Sequence, residues 1–298
     1  IISSSGPFQM YLGSESVSLG IQTLQYNLII LFLIIVSSQG FYGQQSSNWL
    51  DSLRSNQLAV SEDQFNLLKT DPQAFRSERE QMAVSYDQIR YIIADKQTSL
   101  ATRHQINSND QVLNEAEYVL IQSIEKVLIP LWVGNDWDLN GVPRDKPDLD
   151  HPIACGHFIQ KIMKDAGFKL IRNGSTQMAY LSTKHWIQSL TGEQPRDYQN
   201  WEGTLAKFQA EGPGLYVMGI DVSSGWGHML FARYYGGEDV LLLHAGIHPD
   251  GASMHLDEGK YYLDEFLDLQ NVWLARFDAD LVESWLTLSP IKPAVRMD

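Results

Sequence analysis

From residue 214 onward the chain changes period. "GLYVMGI" (214–220), "HMLFARYY" (228–235), "DVLLLHA" (239–245) and "NVWLARF" (271–277) are short runs rich in β-branched, aromatic and aliphatic residues, bounded by polar or glycine-containing segments. Runs of this length and composition read as β-strands. Gly236 and Gly237 mark a hairpin turn between the second and third of them. Up to about residue 170 the apolar residues recur at helical spacing instead, and residues 171–210 read as a polar, aromatic-containing connection. Helices first and antiparallel strands afterwards predict an α+β fold rather than alternating βαβ units.

In the helical half, residues 41–110 are rich in Gln, Ser, Asn and Asp. Within "SEREQMAVSYDQIRYIIADKQTSLATRH", Met82, Tyr86, Ile89, Ile92 and Ile93 form a helical stripe. This segment is expected to be a helical extension packed on the main domain. "NEAEYVLIQSIEKVLIPLW" predicts a second helix with Val119, Ile121, Ile124, Val127 and Leu128 on its apolar face, stopping near Pro130. A long Gly, Pro, Asp and Asn loop follows, "VGNDWDLNGVPRDKPDLDHP". Loops of such length in compact domains often carry function. The next helix, within "HPIACGHFIQKIMKDAGFKL", has Phe158, Ile159, Ile162, Met163 and Ala166 on one face and Gly167 at its stop. Residues 281–298 read as a C-terminal tail.

Residues 27–38, "NLIILFLIIVSS", resemble the apolar region of a signal peptide, with Ser38 and Gly40 as small residues around a cleavage point after Gly40. The uninterrupted apolar stretch, Leu28 to Val36, is short for a spanning helix, which needs about 20 residues. The expectation is export to a periplasmic or secreted location, with membrane contact only through residues 1–40. No Lys or Arg precedes the run, so the usual basic start is missing. The chain carries 22 Lys and Arg against 36 Asp and Glu, a net charge of −14, with no basic cluster to track phosphates. A nucleic-acid partner is excluded on that balance.

An exported chain with one cysteine cannot close an internal disulfide, so Cys155 is either an intermolecular link or a reactive thiol. Its place in the first turn of a helix favours the thiolate, because unpaired N–H groups and the positive end of the helix dipole stabilise an anion there. A buried structural cysteine is the alternative fate of a free thiol. A nucleophile needs a base, and the chain has eight histidines. His157 lies about 200° round the helix from Cys155 and points away. Nothing fixes His151 in its loop. His104 and His185 read as ordinary surface residues. His228, His244, His248 and His255 fall in the strand region. His228 follows the glycine-rich "SSGWG" and His244 closes the next strand. A three-residue turn, Gly236 to Glu238, sets Leu230 opposite His244, which makes His228 a diagonal neighbour of His244 on one face. A two-residue turn would put them on opposite faces, and the pairing would fail.

The runs "IACGHFIQKIMKDAGFKL", "GPGLYVMGI" and "GHMLFARYYGGEDVLLLHA" resemble the NlpC-type cell-wall peptidases, compact relatives of the papain fold. The resemblance covers residues 111 to about 280 and implies a papain-like catalytic domain with no cofactor. It implies Cys155 as nucleophile, His228 as general base and His244 as the residue that orients it, acting on a peptide or amide bond, with peptidoglycan as the family's substrate. "IPLWVGNDWDLNG" is similar to the family's aromatic loop before the nucleophile, which implies a substrate-facing Trp132. Trp137, Asp138, Gly156 and Trp226 are the further candidates for substrate binding. The family usually has Asp before the cysteine and Ser after it; here these are Ala154 and Gly156. That Asp helps to recognise an amine on the peptide stem. Asp136, Asp138, Asp145, Asp148 and Asp150 in the preceding loop are candidate substitutes or simply a solvated surface.

Two other readings stand beside this one. His244, His248 and His255 with Asp250 or Asp257 are metal-ligand types and suggest a metal-dependent hydrolase, although Gly246 and Pro249 deny them a helical face. A catalytically inactive binding module is the other reading, with Trp132 and Trp137 holding glycan or peptide on the same fold.

Overall fold

The computed structural model describes residues 48–298 apart from residues 72–73, 76–78, 81, 83–84, 149–150, 172–181, 224, 249–250, 267 and 295–298. The signal segment expected over residues 1–40 lies outside the described residues. Among those described, no helix is long and apolar enough to cross a membrane.

The fold is mixed helix and antiparallel sheet. The N-terminal part is helical from residue 48 and includes α1 (Glu62–Thr70), α2 (Tyr86–Ile106) and α3 (Asp110–Gln122). Ser61 and Gln64 close a capping box at the start of α1, each satisfying an N–H that the helix cannot. Asn109 caps α3 by accepting from the Val112 N–H. The helical run continues beyond α3 as a π turn over Ser123–Leu128 and a 3-10 turn over Ile129–Trp132, so Pro130 does not stop it. Proline sits in the first positions of the last turn, where its missing N–H costs nothing.

The helix that begins at Cys155, α4, spans Cys155–Asp165. It ends as the sequence predicts. Gly167 takes φ +103, the Gly167 N–H bonds the Lys164 carbonyl and the Phe168 N–H reaches back to Met163. Two further helices, α5 (Thr183–Thr191) and α6 (Trp201–Glu211), lead into the sheet. The strands are β1 (Gly214–Val222), β2 (Gly227–Gly236), β3 (Asp239–His248), β4 (Gly251–Glu258) and β5 (Leu269–Arg276), in the antiparallel order β4-β3-β2-β1-β5. The sequence reading found four of these and missed β4.

Both faces of the sheet are covered, which is why its strands read as nearly continuous apolar runs. Leu215, Val217, Met229, Phe231 and Leu243 share one core with Phe158, Ile159 and Ile162 of α4. Tyr216, Met218, Leu230 and Leu242 pack on the opposite side with Trp201 and Phe208 of α6.

The N-terminal helices belong to the same core as α4: Phe65, Ile89, Ile93 and Leu100 are buried in it. Residues 281–298 are not simply a tail. Helix α7 (Ala279–Leu286) buries Trp285, whose Nε1 donates to the Ala166 carbonyl at 2.6 Å. Gln97 of α2 donates to the Trp285 and Gly167 carbonyls at 2.7 and 3.2 Å. The far end of α4 is thus held from two sides.

Candidate functional site

Ala154 occupies the N-cap of α4 with extended backbone and has no polar atom with which to cap the helix. The Cys155 and Gly156 N–H groups are therefore open to an acceptor other than a capping side chain. The Cys155 sulfur takes that place. The N–H groups of Met229, Gly156 and Cys155 itself point at it. Cys155 is only 9% exposed. Burial pushes its thiol up, and these N–H groups offset part of that effect.

The Met229 N–H is free to meet sulfur because the β2–β3 ladder ends early. Pairing runs back from the turn only to Phe231 opposite Leu243. Beyond that pair the strands carry His228 and His244. The turn itself differs from the expected one: Gly237 and Glu238 make a two-residue turn, and Tyr235 is an extra residue between Tyr234 and Gly236. The bulge restores the register that a two-residue turn alone would lose, so the histidines still share a face.

Nε2 of His228 lies 3.0 Å from Nδ1 of His244, and Nε2 of His244 lies 2.7 Å from Oδ2 of Asp257. All three side chains are buried. Burial, and then the neighbouring His244, hold the His228 imidazole well below its ordinary range. Its Nδ1 has no hydrogen-bond partner among the described residues. No hydrogen bond therefore joins the ring to the thiol. Thiol and imidazole are both neutral at neutral pH.

Asp257 is the residue of this chain that sequence reasoning missed; it appears there only among the metal-ligand types of a weaker reading. It lies on β4 opposite Leu242, next along the same face from the His244–His255 pair. The alternation of Ala252, Met254 and Leu256 with Ser253, His255 and Asp257 was the available signal. His244 has both ring nitrogens engaged, by His228 and Asp257, which leaves neither for a metal. Among the described residues no three metal-ligand side chains converge. The His248 side chain and Asp250 lie outside the described residues.

The substrate-binding candidates separate. Trp132 is wholly buried, with its Nε1 3.0 Å from the Tyr86 hydroxyl and its ring edge-on to Tyr86 and Phe158. It has no face for a substrate; the α3 helical run carries it into the core. Trp226 is half-buried, its ring centroid 6.2 Å from that of His228, and stands beside the site. Trp137 is half-buried and bridges Ile153, two residues before Cys155. Asp138 is exposed and accepts from the Asn140 N–H in a turn of that loop. Gly156 is buried in the first turn of α4.

Other expectations change too. His104, expected at the surface, is buried, and so is His157. His185 caps α5 with Ser182, and His151 pairs with Asp148 at 2.8 Å, so the structure enlists neither as the base. Of the loop acids, Asp145 pairs with Arg90 and Lys161, and Arg90 above all holds its carboxyl below the usual range.

No family model, curated protein or solved structure matches this chain.

Proposed function

We propose that the protein is an exported cysteine hydrolase of NlpC-type, papain-like descent, cleaving a peptide or amide bond with Cys155 as nucleophile and His228 as general base. The observation that carries this reading is the orphaned His228 Nδ1. It is the free end of a buried His228–His244–Asp257 chain, and the next residue of the strand, Met229, directs its N–H at the Cys155 sulfur.

Because thiol and imidazole are both neutral, the proton moves as the bond forms rather than beforehand. Sulfur attacks the substrate carbonyl while its proton passes to His228 Nδ1. The tetrahedral intermediate then expels the amine, which takes that proton. Water, deprotonated by the same nitrogen, hydrolyses the thioester and restores the thiol. Hydrogen bonds that are absent in a free enzyme often form only with substrate bound. The Cys155 N–H at the start of α4, which points at the sulfur in the free protein, is a donor for the oxyanion once the sulfur has bonded the substrate carbon. Trp226 and Trp137 flank the substrate, and a cell-wall peptide is the substrate class the resemblance suggests. Ala154 removes the amine-recognising carboxylate usual there, so the stem peptide would be held differently.

The test is hydrolysis of peptidoglycan-derived and unrelated peptides by the purified protein and its Cys155→Ala variant. Release of new amino termini by the first and none by the second, with unchanged folding, is the expected result. Equal activity in both would overturn the mechanism. Burial of Cys155 favours a second reading, a binding module that kept the fold: it predicts peptide binding with no turnover by either protein.

A further inference from the structure

We infer that Asp257 is a positioning residue that sets the direction of every proton along the buried chain and thereby leaves His228 Nδ1 as a bare base. An ionised carboxylate offers only acceptors. Its oxygen lies 2.7 Å from His244 Nε2, so that nitrogen carries the hydrogen. With the His244 ring uncharged, its second nitrogen, Nδ1, keeps a lone pair. That lone pair faces His228 Nε2 at 3.0 Å and requires the hydrogen there. His228 Nδ1 is consequently unprotonated. The opposite arrangement sets the His244 Nε2 lone pair against a carboxylate oxygen in a buried place, where unpaired polar contacts are most costly.

The surroundings hold this order. The Tyr262 ring packs 4.4 Å, centroid to centroid, from His244, and Tyr262, His228 and His244 are wholly buried. Water has little access to re-pair the ring nitrogens. When His228 accepts a proton, the positive charge forms in a buried site that disfavours it.

The catalytic consequence rests on the hydrolase reading; the proton arrangement does not. The experiment is long-range 1H–15N correlation spectroscopy at neutral pH on protein labelled with 15N-histidine, with His228→Asn and His244→Asn assigning the signals. In the wild type, both rings should show a protonated Nε2 and an unprotonated Nδ1. In Asp257→Asn, whose amide can also donate, His244 should shift toward the Nδ1–H form. On a substrate that the wild type cleaves, kcat should fall by about 10²- to 10⁴-fold, as for the equivalent exchange in Ser-His-Asp enzymes, with KM within about twofold. A protonated Nδ1 on either wild-type ring overturns the inference without any variant having to fold. So does Asp257→Asn with unchanged tautomers and kcat. Predicted tautomers in a wild type that hydrolyses nothing uphold the inference and defeat the hydrolase reading.

Discussion

The backbone of Gly246 lies against the His228 ring so closely that a Cβ on it would stand 2.7 Å from Cε1, 2.8 Å from Nε2 and 2.9 Å from His244 Nδ1. Only a residue without a side chain lets the two rings meet. Gly246→Ala should therefore part them, with kcat lowered by about 10²-fold, as small displacements of catalytic groups do. The added methyl should cost about 1–3 kcal/mol of stability, the usual range for overpacking. Steady-state kinetics with urea unfolding checks both; unchanged kcat would show that the His228–His244 contact is dispensable.

Gly141 plays a similar part just ahead of Cys155, against the backbone of Ile153 and Ala154. A Cβ there would fall 2.4 Å from the Ala154 nitrogen and 2.5 Å from the Ile153 carbonyl carbon. Backbone cannot swing aside as a flexible side chain can. Gly141→Ala should displace the start of α4 and lower kcat more than it lowers the melting temperature. A variant with wild-type kcat would mean that the loop yields instead.

The two tryptophans should behave oppositely. Trp132→Ala removes a fully buried ring together with its bond to Tyr86 and should destabilise the fold by about 3–5 kcal/mol. Trp226→Ala, at a half-buried position beside His228, should raise KM with little change in unfolding. Calorimetry and kinetics on the pair separate the roles. A stability loss at Trp226 equal to that at Trp132 would remove it from the substrate cleft.

Acid should weaken the fold through His228. Its folded-state pKa is depressed, so as pH falls through about 6.5, the ordinary histidine value, the unfolded chain gains a proton that the folded ring refuses. Stability is fully present above that pH and is lost below it, with a limiting slope of about 1.4 kcal/mol per pH unit. His157, also depressed by burial, acts in the same direction. Urea unfolding at pH 7 and 5.5 should show a larger loss for the wild type than for His228→Asn. Equal losses would mean that the ring titrates normally.

Much of this site was legible in the sequence because its parts follow simple periodicities. Cys155 at a helix start needed only the α4 stripe and Gly167. The His228–His244 pairing needed only the register, and that emerged correctly although the turn is shorter than expected, since the Tyr235 bulge supplies the missing residue. Asp257 was hidden because its strand lies beyond Pro249 and Gly251, in a segment read as a cluster of metal-ligand types. Trp132 misled because the π and 3-10 turns carry the helical run past Pro130 and bury the ring. The helices of residues 62–106 join the core through long-range contacts, such as Gln97 on the Trp285 carbonyl at the far end of α4, which no local pattern encodes.

The most direct test of the central claim is acylation of Cys155 itself. The purified protein would be treated with a small activated ester such as p-nitrophenyl acetate at pH 7, and acyl-enzyme would be followed by intact-mass and peptide-mapping spectrometry. One acyl group on Cys155, formed rapidly in the wild type, absent in Cys155→Ala and slowed by about 10²-fold or more in His228→Ala, is the predicted result. Acylation at the same rate with and without His228 would contradict it.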